Sequence, residues 1–253
     1  MVAPGLRGLT AVFTPNLRYP DPSVEVLDDA LRDLRQYSAS VEQLFTGCRW
    51  AEGPVWFGDG RCLLLSDIPN NRILRRDDAS GATSVFRAPA DNANGHTRDR
   101  QGRRVSCELL TRRIMRTEYD GRITVLADRF DGKRLNSPSD IVCTKDGSIW
   151  FTDPSVGIAG HGEGEPAAQE LPHPVYCLPP DGGALQRVID DLKGPDGLVF
   201  SPDETELYVV ESRAEPHPSL WAYRVGTDGA HEAPVQGQQP FALRSVRQRT
   251  GRT

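Results

Sequence analysis

The amino-acid sequence predicts an all-β protein built as a β-propeller, and three observations support this prediction. The 253 residues include 24 Gly and 20 Pro, and each such residue inside a helix costs about 1–3 kcal/mol. Apolar runs are short and rich in Val, Ile, Tyr, Trp and Thr, which is typical of strands. Similar segments also recur every 40–50 residues or so, which is the spacing of propeller blades.

Residues 1–40 differ in composition from the rest of the chain and form a predicted lead-in segment. Within it, the stretch 24–37 carries apolar residues at helical spacing, namely Val26, Leu27, Leu31 and Leu34. This pattern predicts one short amphipathic helix.

Strand-like segments follow from Val41 onward, separated by turn sequences such as DG, NG, DGG and SPDE. The clearest of them are 62–68, 103–110, 123–128, 148–153, 175–178 and 206–212. A polar insertion at 157–174 interrupts the series and predicts an exposed loop.

The strands are arranged in four sequence repeats. The repeats begin at Glu52, Asn94, Ser139 and Asp196, which are spaced 42, 45 and 57 residues apart. In a propeller, the opening residue of each repeat lies at one end of an innermost strand, beside the central channel. The repeats therefore predict a ring of polar side chains that is suited to a cation or a polar ligand.

Charge and composition exclude several classes of protein. The net charge of −5 gives no attraction for nucleic acid or for an anionic membrane, and no apolar run approaches the ~18 residues of a membrane span. The N-terminus lacks the pattern of a secretion signal. Five cysteines without a CxxC pair disfavour a disulfide framework or a zinc site. We therefore expect buried thiols in a cytoplasmic protein.

Five segments, taken in order, resemble the gluconolactonase, regucalcin and senescence-marker-protein family. They are WAEGPVWF (50–57), SDIPNNRILR (66–75), KRLNSPSDIV (133–142), IWFTDP (149–154) and GPDGLVFSPDETELYVVES (194–212). The resemblance runs from about Val41 to about Val225. It implies a six-bladed propeller that holds one divalent cation, usually calcium, in its central tunnel and hydrolyses sugar lactones. The implied ligand is a small lactone or a sugar acid.

The resemblance also implies a metal shell of one Glu, two Asn and one Asp, each at the start of an inner strand. The Glu corresponds to Glu52. The first Asn corresponds to Ser139, with Asp140 as the alternative ligand at that position. The second Asn corresponds to Asp196, whose carboxylate suits calcium at least as well as an amide. The Asp of a PDG motif one blade further on has no counterpart in this sequence.

The missing motif and the chain length predict a propeller truncated at its C-terminus. After Glu52 the chain has room for about four to five units of ~45 residues. We therefore predict a propeller over residues 41–240 and an unrelated basic tail over 241–253.

The same predicted ring of polar side chains supplies the candidate residues for substrate binding and catalysis. Asn94 and His96 are candidate substrate contacts, as is Asn136, and each has a loop-forming role as its alternative. In the implied mechanism, calcium polarises the ester carbonyl and a tunnel carboxylate activates water. Asp196 and Asp140 are the catalytic candidates.

The predicted function is therefore a calcium-dependent lactone hydrolase. The alternative is a non-catalytic propeller remnant or a binding scaffold. An oxygen-only shell favours calcium, with zinc and manganese as alternatives. Serine-hydrolase and dinucleotide-binding motifs are absent from the sequence, and the oligomeric state has no signal in it.

Overall fold

A computed structural model describes residues 18–226 and the backbone of residues 237–242. The predicted tail 241–253 lies outside the described residues, apart from the backbone of 241–242. Within the described part of the chain, no helix is long and apolar enough to cross a membrane. The chain divides into two compact units, residues 1–47 and 48–253.

The first unit contains a shorter helix than its sequence pattern predicts. Only the 3-10 helix Asp29–Asp33 forms within the stretch 24–37. Leu27 and Leu34 are 81% and 82% exposed, so they supply no packing energy. A helix of this length is marginal in water without such packing, which explains the difference.

Asp21 organises the described part of this first unit. Its carboxylate accepts hydrogen bonds from the backbone N–H groups of Ser23 and Val41 at 2.9 and 2.8 Å. Arg35 donates to its carbonyl at 2.9 Å. The buried Asp21 therefore joins the two ends of this segment.

In the part of the second unit that the structure describes, the strands form four four-stranded antiparallel sheets and one small hairpin. Blade 1 contains β1 (Ala51–Phe57), β2 (Cys62–Asp67), β3 (Arg72–Asp77) and β4 (Thr83–Arg87). Blade 2 contains β5 (Ala93–Arg98), β6 (Arg104–Glu108), β7 (Arg113–Thr117) and β8 (Ile123–Ala127). The hairpin that follows contains β9 (Arg129–Phe130) and β10 (Lys133–Arg134). Blade 3 contains β11 (Ile141–Cys143), β12 (Ile149–Thr152), β13 (Val175–Leu178) and β14 (Gln186–Ile189). Blade 4 contains β15 (Pro195–Phe200), β16 (Glu206–Glu211), β17 (Ser219–Arg224) and β18 (Gly237–Ala242).

Each blade is a meander whose strands pair in chain order. Short turns join strands such as β11 and β12, whereas the connection from β12 to β13 contains the insertion 157–174. The turn from β11 to β12 shows the chemistry: Gly147 has φ = 95°, a conformation that glycine adopts without steric cost. Its N–H donates to the carbonyl of Thr144 at 3.0 Å, which closes the turn.

Apolar side chains pack between consecutive blades. Leu64 and Ile73 of blade 1 pack with Ala93 of blade 2. The next interface buries Val105, Cys107, Ile114, Ile141, Phe151 and Tyr176. The interface between blades 3 and 4 buries Trp150, Val175, Leu198, Leu207, Val209 and Tyr223. Each sheet therefore hides a face that it cannot bury alone.

This arrangement confirms the prediction of an all-β, incomplete propeller of about four to five blades, since the described residues form four blades. All six of the strand-like segments named above contain strands. The second residues of β1, β5 and β15 are Glu52, Asn94 and Asp196, and Ser139 lies two residues before β11.

Candidate functional site

Three of the four innermost strands carry an irregularity at the residue that opens each repeat. The register of β1 with β2 shifts between Glu52 and Val55. The same shift occurs between Ala93 and His96 in blade 2 and between Pro195 and Leu198 in blade 4. A β-bulge redirects a side chain from its ordinary alternation, so the strand starts can turn polar residues toward a common space.

Glycine follows the opening residue in each bulge and lets neighbouring blades approach closely. A Cβ atom on Gly95 would lie 2.7 Å from the carbonyl oxygen of Ser139. In this structure the Gly95 N–H instead donates to that oxygen at 2.8 Å. Gly53 has φ = 56°, and a Cβ there would collide with the carbonyl oxygen of Asn94. The Glu-Gly and Asn-Gly pairs thus join blade 1 to blade 2 and blade 2 to blade 3.

The strand starts enclose a cavity of about 620 Å³. Its polar lining contains Glu52, Asn94, His96, Thr97, Ser139, Asp140 and Asp196. Apolar side chains such as Trp56 and Val210 complete the walls. The cavity therefore combines oxygen donors with apolar surface, as small-molecule sites do.

A row of hydrogen bonds crosses three blades at this cavity. The side-chain amide of Asn94 donates to Ser139 Oγ at 3.0 Å. Ser139 in turn donates to Asp196 Oδ1 at 2.9 Å. The hydroxyl of Ser139 is thus oriented by one partner on each side, and the row ends on a carboxylate.

Asp140 bridges blades 3 and 4 through its carboxylate. Its Oδ2 accepts from the N–H of Leu198 at 3.0 Å, and its Oδ1 accepts from the N–H of Ile141 at 2.9 Å. Burial raises the pKa of Asp140 to about 6, and the negative charges of Asp196 and Glu52 act in the same direction. The two backbone donors oppose this rise.

Glu52 is exposed, whereas Asp140 and Asp196 at the same cavity are half-buried. Its Oε1 accepts from the indole N–H of Trp50 at 3.0 Å. Among the described residues, no protein donor reaches Oε2 of Glu52 or Oδ2 of Asp196 within hydrogen-bond distance. These two oxygens are available to a bound cation or substrate.

His96 is 5% exposed and lies between two serine hydroxyls. Its Nε2 lies 2.8 Å from Ser66 Oγ and its Nδ1 lies 2.7 Å from Ser106 Oγ. Burial lowers the pKa of His96 well below its usual value, and the charge of Arg104 lowers it further. The imidazole is therefore neutral in the folded protein.

Asn136 lies apart from the cavity lining. Its amide donates to the carbonyl oxygens of Asp153 and Pro172 at 3.0 and 2.6 Å. Its backbone N–H donates to Asp153 Oδ2 at 2.8 Å. These contacts serve the loop that leads to Ser139, which is the alternative role considered for this residue.

Thr152 joins two of the strand starts, and sequence reasoning did not identify it. Its hydroxyl donates to the carbonyl oxygen of Asp196 at 2.7 Å and accepts from the N–H of Asp140 at 3.1 Å. A threonine at the end of a strand has no distinctive sequence signal, so this role emerges only when blades 3 and 4 meet.

Glu163 is a second residue that sequence reasoning missed. The insertion 157–174 is only partly exposed, because Gly157, Ile158, Gly164 and Leu171 are buried. Burial raises the pKa of Glu163, and the charges of Asp196 and Glu52 raise it further. The loop therefore brings a further carboxyl group into the electrostatic field of the cavity.

The donor set fits a hard cation. Calcium binds carboxylate and other oxygen ligands. The free carboxylate oxygens of Glu52 and Asp196 and the hydroxyl of Ser139 are ligands of this kind. The described residues contain no cluster of three or more His, Cys, Asp or Glu side chains at metal-binding distance. A cation here would rest on two carboxylates supplemented by neutral oxygens.

Comparisons with known proteins agree with this architecture. Residues 50–240 match the family described as the SMP-30/Gluconolactonase/LRE-like region. A gluconolactonase of Zymomonas mobilis is 34% identical over 216 residues, which cover 79% of this chain and 58% of that protein. The chain thus spans less than two thirds of the length of this relative.

Solved structures show the same likeness. A gluconolactonase of Xanthomonas campestris superposes with a TM-score of 0.70 at 39% identity, covering 81% of this chain and 65% of that one. A calcium-binding regucalcin of Agrobacterium tumefaciens shares the fold, with a TM-score of 0.57 at 15% identity over 78% of this chain and 60% of that one. From the family match, the identity and the shared architecture, the chain belongs to the SMP-30/gluconolactonase/LRE-like family.

Proposed function

We propose that this protein hydrolyses sugar lactones with the help of a divalent cation, most suitably calcium, bound at the cavity. The observation that carries the proposal is the convergence of Glu52, Ser139 and Asp196 on one cavity. The two gluconolactonase relatives support the same substrate class. The cavity of about 620 Å³ suits a small molecule.

Glu52 and Asp196 would hold the cation together with the Ser139 hydroxyl. A calcium ion bound there would polarise the lactone carbonyl and stabilise the negative charge that develops on its oxygen. Residues of the chain itself would act as the general base and orient the substrate.

Asp196 is our proposed general base. Its Oδ1 is held by the Ser139 hydroxyl, and its backbone is held by Thr152, so its carboxylate has a defined orientation. A carboxylate oxygen has two lone pairs, so Oδ2 would contact the cation with one and accept a proton from an attacking water molecule with the other, as general base catalysis requires. Asp140 is the other candidate, but both of its oxygens already accept backbone N–H groups. We therefore assign it the support of the strand starts.

Asn94 and the walls of the cavity would orient the substrate. The amide oxygen of Asn94 is free to accept from a sugar hydroxyl, since its amide nitrogen already donates to Ser139. The indole of Trp56 offers an apolar surface. The reaction would take place in the cytoplasm, a location in keeping with five unpaired cysteines.

The deciding experiment measures acid release from several aldonolactones in a pH-stat, with calcium and with a chelator. We expect hydrolysis that stops with chelator and returns with calcium. Glu52→Gln should abolish the calcium response, whereas Glu25→Gln, an exposed control in the other unit, should retain it. Folded protein without chelator-sensitive hydrolysis of any lactone would exclude this function and leave a non-catalytic scaffold.

A further inference from the structure

The two serines beside His96 define which ring nitrogen carries its proton. Ser66 Oγ donates to the backbone carbonyl of Asn94 at 2.8 Å, because a carbonyl oxygen can only accept. The single hydroxyl hydrogen of Ser66 is then used. In the 2.8 Å hydrogen bond between Ser66 Oγ and His96 Nε2, the ring N–H must therefore be the donor. A neutral imidazole has one N–H, so Nδ1 is unprotonated and accepts from Ser106 Oγ at 2.7 Å.

All of these hydrogen bonds point in one direction. Ser106 donates to His96, His96 donates to Ser66, and Ser66 donates to the carbonyl of Asn94. The amide of Asn94 then donates to Ser139, which donates to Asp196. The series runs through all four blades and ends at the negative charge of Asp196.

Burial makes this series a rigid support. Ser66 and Ser106 are fully buried, and His96 and Asn94 are nearly so. A buried hydroxyl or ring nitrogen that lost its partner would carry a desolvation penalty, so each member holds the next in one orientation. Neither serine lines the cavity.

We infer that His96 is a positioning residue: as the Nε2–H tautomer, it holds Asn94 through Ser66, so that Asn94 orients the Ser139 hydroxyl toward Asp196. This role differs from substrate contact or proton transfer, since both ring nitrogens are already engaged with serines. The inference rests on the proposed function only for its cation-binding readout. The tautomer and the position of Asn94 can be measured independently of any activity.

The first measurement is NMR of protein labelled with ¹⁵N at histidine. The chain has five histidines, and the spectrum of His96→Gln identifies the signal of His96. We expect two-bond correlations of a neutral Nε2–H ring at neutral pH. A Nδ1–H tautomer or a charged ring would overturn the inference.

The second measurement compares Ser66→Ala and Ser106→Ala with Ser148→Ala. Ser148 is also fully buried, and its hydroxyl donates to Asp146 within the turn of blade 3. In both test variants, we expect shifted side-chain NH₂ signals of Asn94 and a weakening of calcium binding by about threefold or more, measured by titration calorimetry. Ser148→Ala should leave both properties at the wild-type level.

The outcomes separate this inference from the proposed function. If the wild-type protein binds no calcium, the metal role fails, and the Asn94 signals alone decide the positioning role. If calcium binds but Ser66→Ala and Ser106→Ala behave like Ser148→Ala in both readouts, the positioning role is overturned while the metal role stands.

His96→Gln keeps a donor for Ser66, so it should retain more calcium affinity than His96→Leu. Equal losses in these two variants would count against the inference.

Discussion

The hydroxyl of Thr152 donates a 2.7 Å hydrogen bond to the backbone carbonyl of Asp196. Thr152 ends the second strand of blade 3, and Asp196 lies at the start of the innermost strand of blade 4. Because the same hydroxyl accepts from the N–H of Asp140, one oxygen atom connects both strand starts. The position of the candidate ligand Asp196 thus depends on a neighbouring blade.

Replacing Thr152 with Val should therefore affect both stability and the site. Valine keeps the shape but leaves the partly buried N–H of Asp140 and carbonyl of Asp196 without their partner, at about 1 kcal/mol or more. Calcium affinity should fall with stability, as followed by thermal unfolding with and without calcium. Thr144→Val is a matched control, since the Thr144 hydroxyl also makes two hydrogen bonds in blade 3 but lies away from the cavity. A normal calcium response in Thr152→Val would contradict the predicted link.

Gly95→Ala should destabilise the protein because the added methyl group has no space. Its Cβ would lie 2.7 Å from both the Cα of Asp140 and the carbonyl oxygen of Ser139. Overpacking of this kind costs about 1–3 kcal/mol, and here the neighbouring atoms are backbone. Urea unfolding should show a lower midpoint for Gly95→Ala. Gly160→Ala should be near neutral, since nothing lies within 4 Å of its Cβ. Similar midpoints for the two variants would refute the close approach.

Asp153 should make stability depend on pH. Burial raises its pKa from 3.8 to about 7, so the folded protein holds this proton more tightly than the unfolded chain. The stability that protonated Asp153 contributes to the fold is fully present below about pH 4 and is lost as the pH rises through about 7. The shift corresponds to about 4 kcal/mol at 1.36 kcal/mol per unit.

The check on Asp153 is urea unfolding at several pH values between 4 and 8. The free energy of unfolding of the wild type should fall relative to that of Asp153→Asn as the pH rises, because the variant lacks the titrating group. Asp181→Asn, at an exposed turn, should follow the wild type. A constant difference between wild type and Asp153→Asn would show that this carboxyl does not titrate in the range.

Glu163→Gln should stabilise the metal-free protein and weaken its affinity for calcium. The charged form of Glu163 is disfavoured by burial and by Asp196 and Glu52, so removing the charge relieves repulsion. The negative charge of Glu163 would attract a bound cation. We therefore expect the Kd for calcium to rise at least about threefold in Glu163→Gln. Calorimetry against Glu165→Gln, an exposed residue of the same loop, provides the comparison. Unchanged affinity in Glu163→Gln would place this carboxyl outside the site.

Thiol labelling should distinguish the five unpaired cysteines. Cys62, Cys107 and Cys177 are buried, whereas Cys48 and Cys143 are partly exposed. Burial raises the pKa of Cys143 to about 11, and the thiolate is the reactive form. In native protein at pH 7.5, a thiol reagent should therefore react with no more than Cys48 and Cys143, the latter slowly. All five should react after unfolding. Rapid labelling of all five in native protein would contradict the buried cores.

Much of the fold could be read from the sequence because strand signals are local. The runs at 62–68 and 206–212 became β2 and β16 within one residue at either end, since alternation and flanking turns act over a few residues. The helix expected over 24–37 shrank to the short 3-10 helix Asp29–Asp33. Its leucines needed a partner surface that the local pattern cannot reveal.

The sequence by itself determined the repeat, the strands and the residues that open each blade, because these follow from local periodicity and turn chemistry. Only the tertiary structure decided how those residues meet. It showed that Ser139 donates to Asp196, that Thr152 and Asp140 hold blades 3 and 4 together, and that His96 lies between two serines. These partners are 10 to 58 residues apart. Hydrogen bonds between them depend on strand register and on how the sheets pack, and no local pattern encodes that geometry.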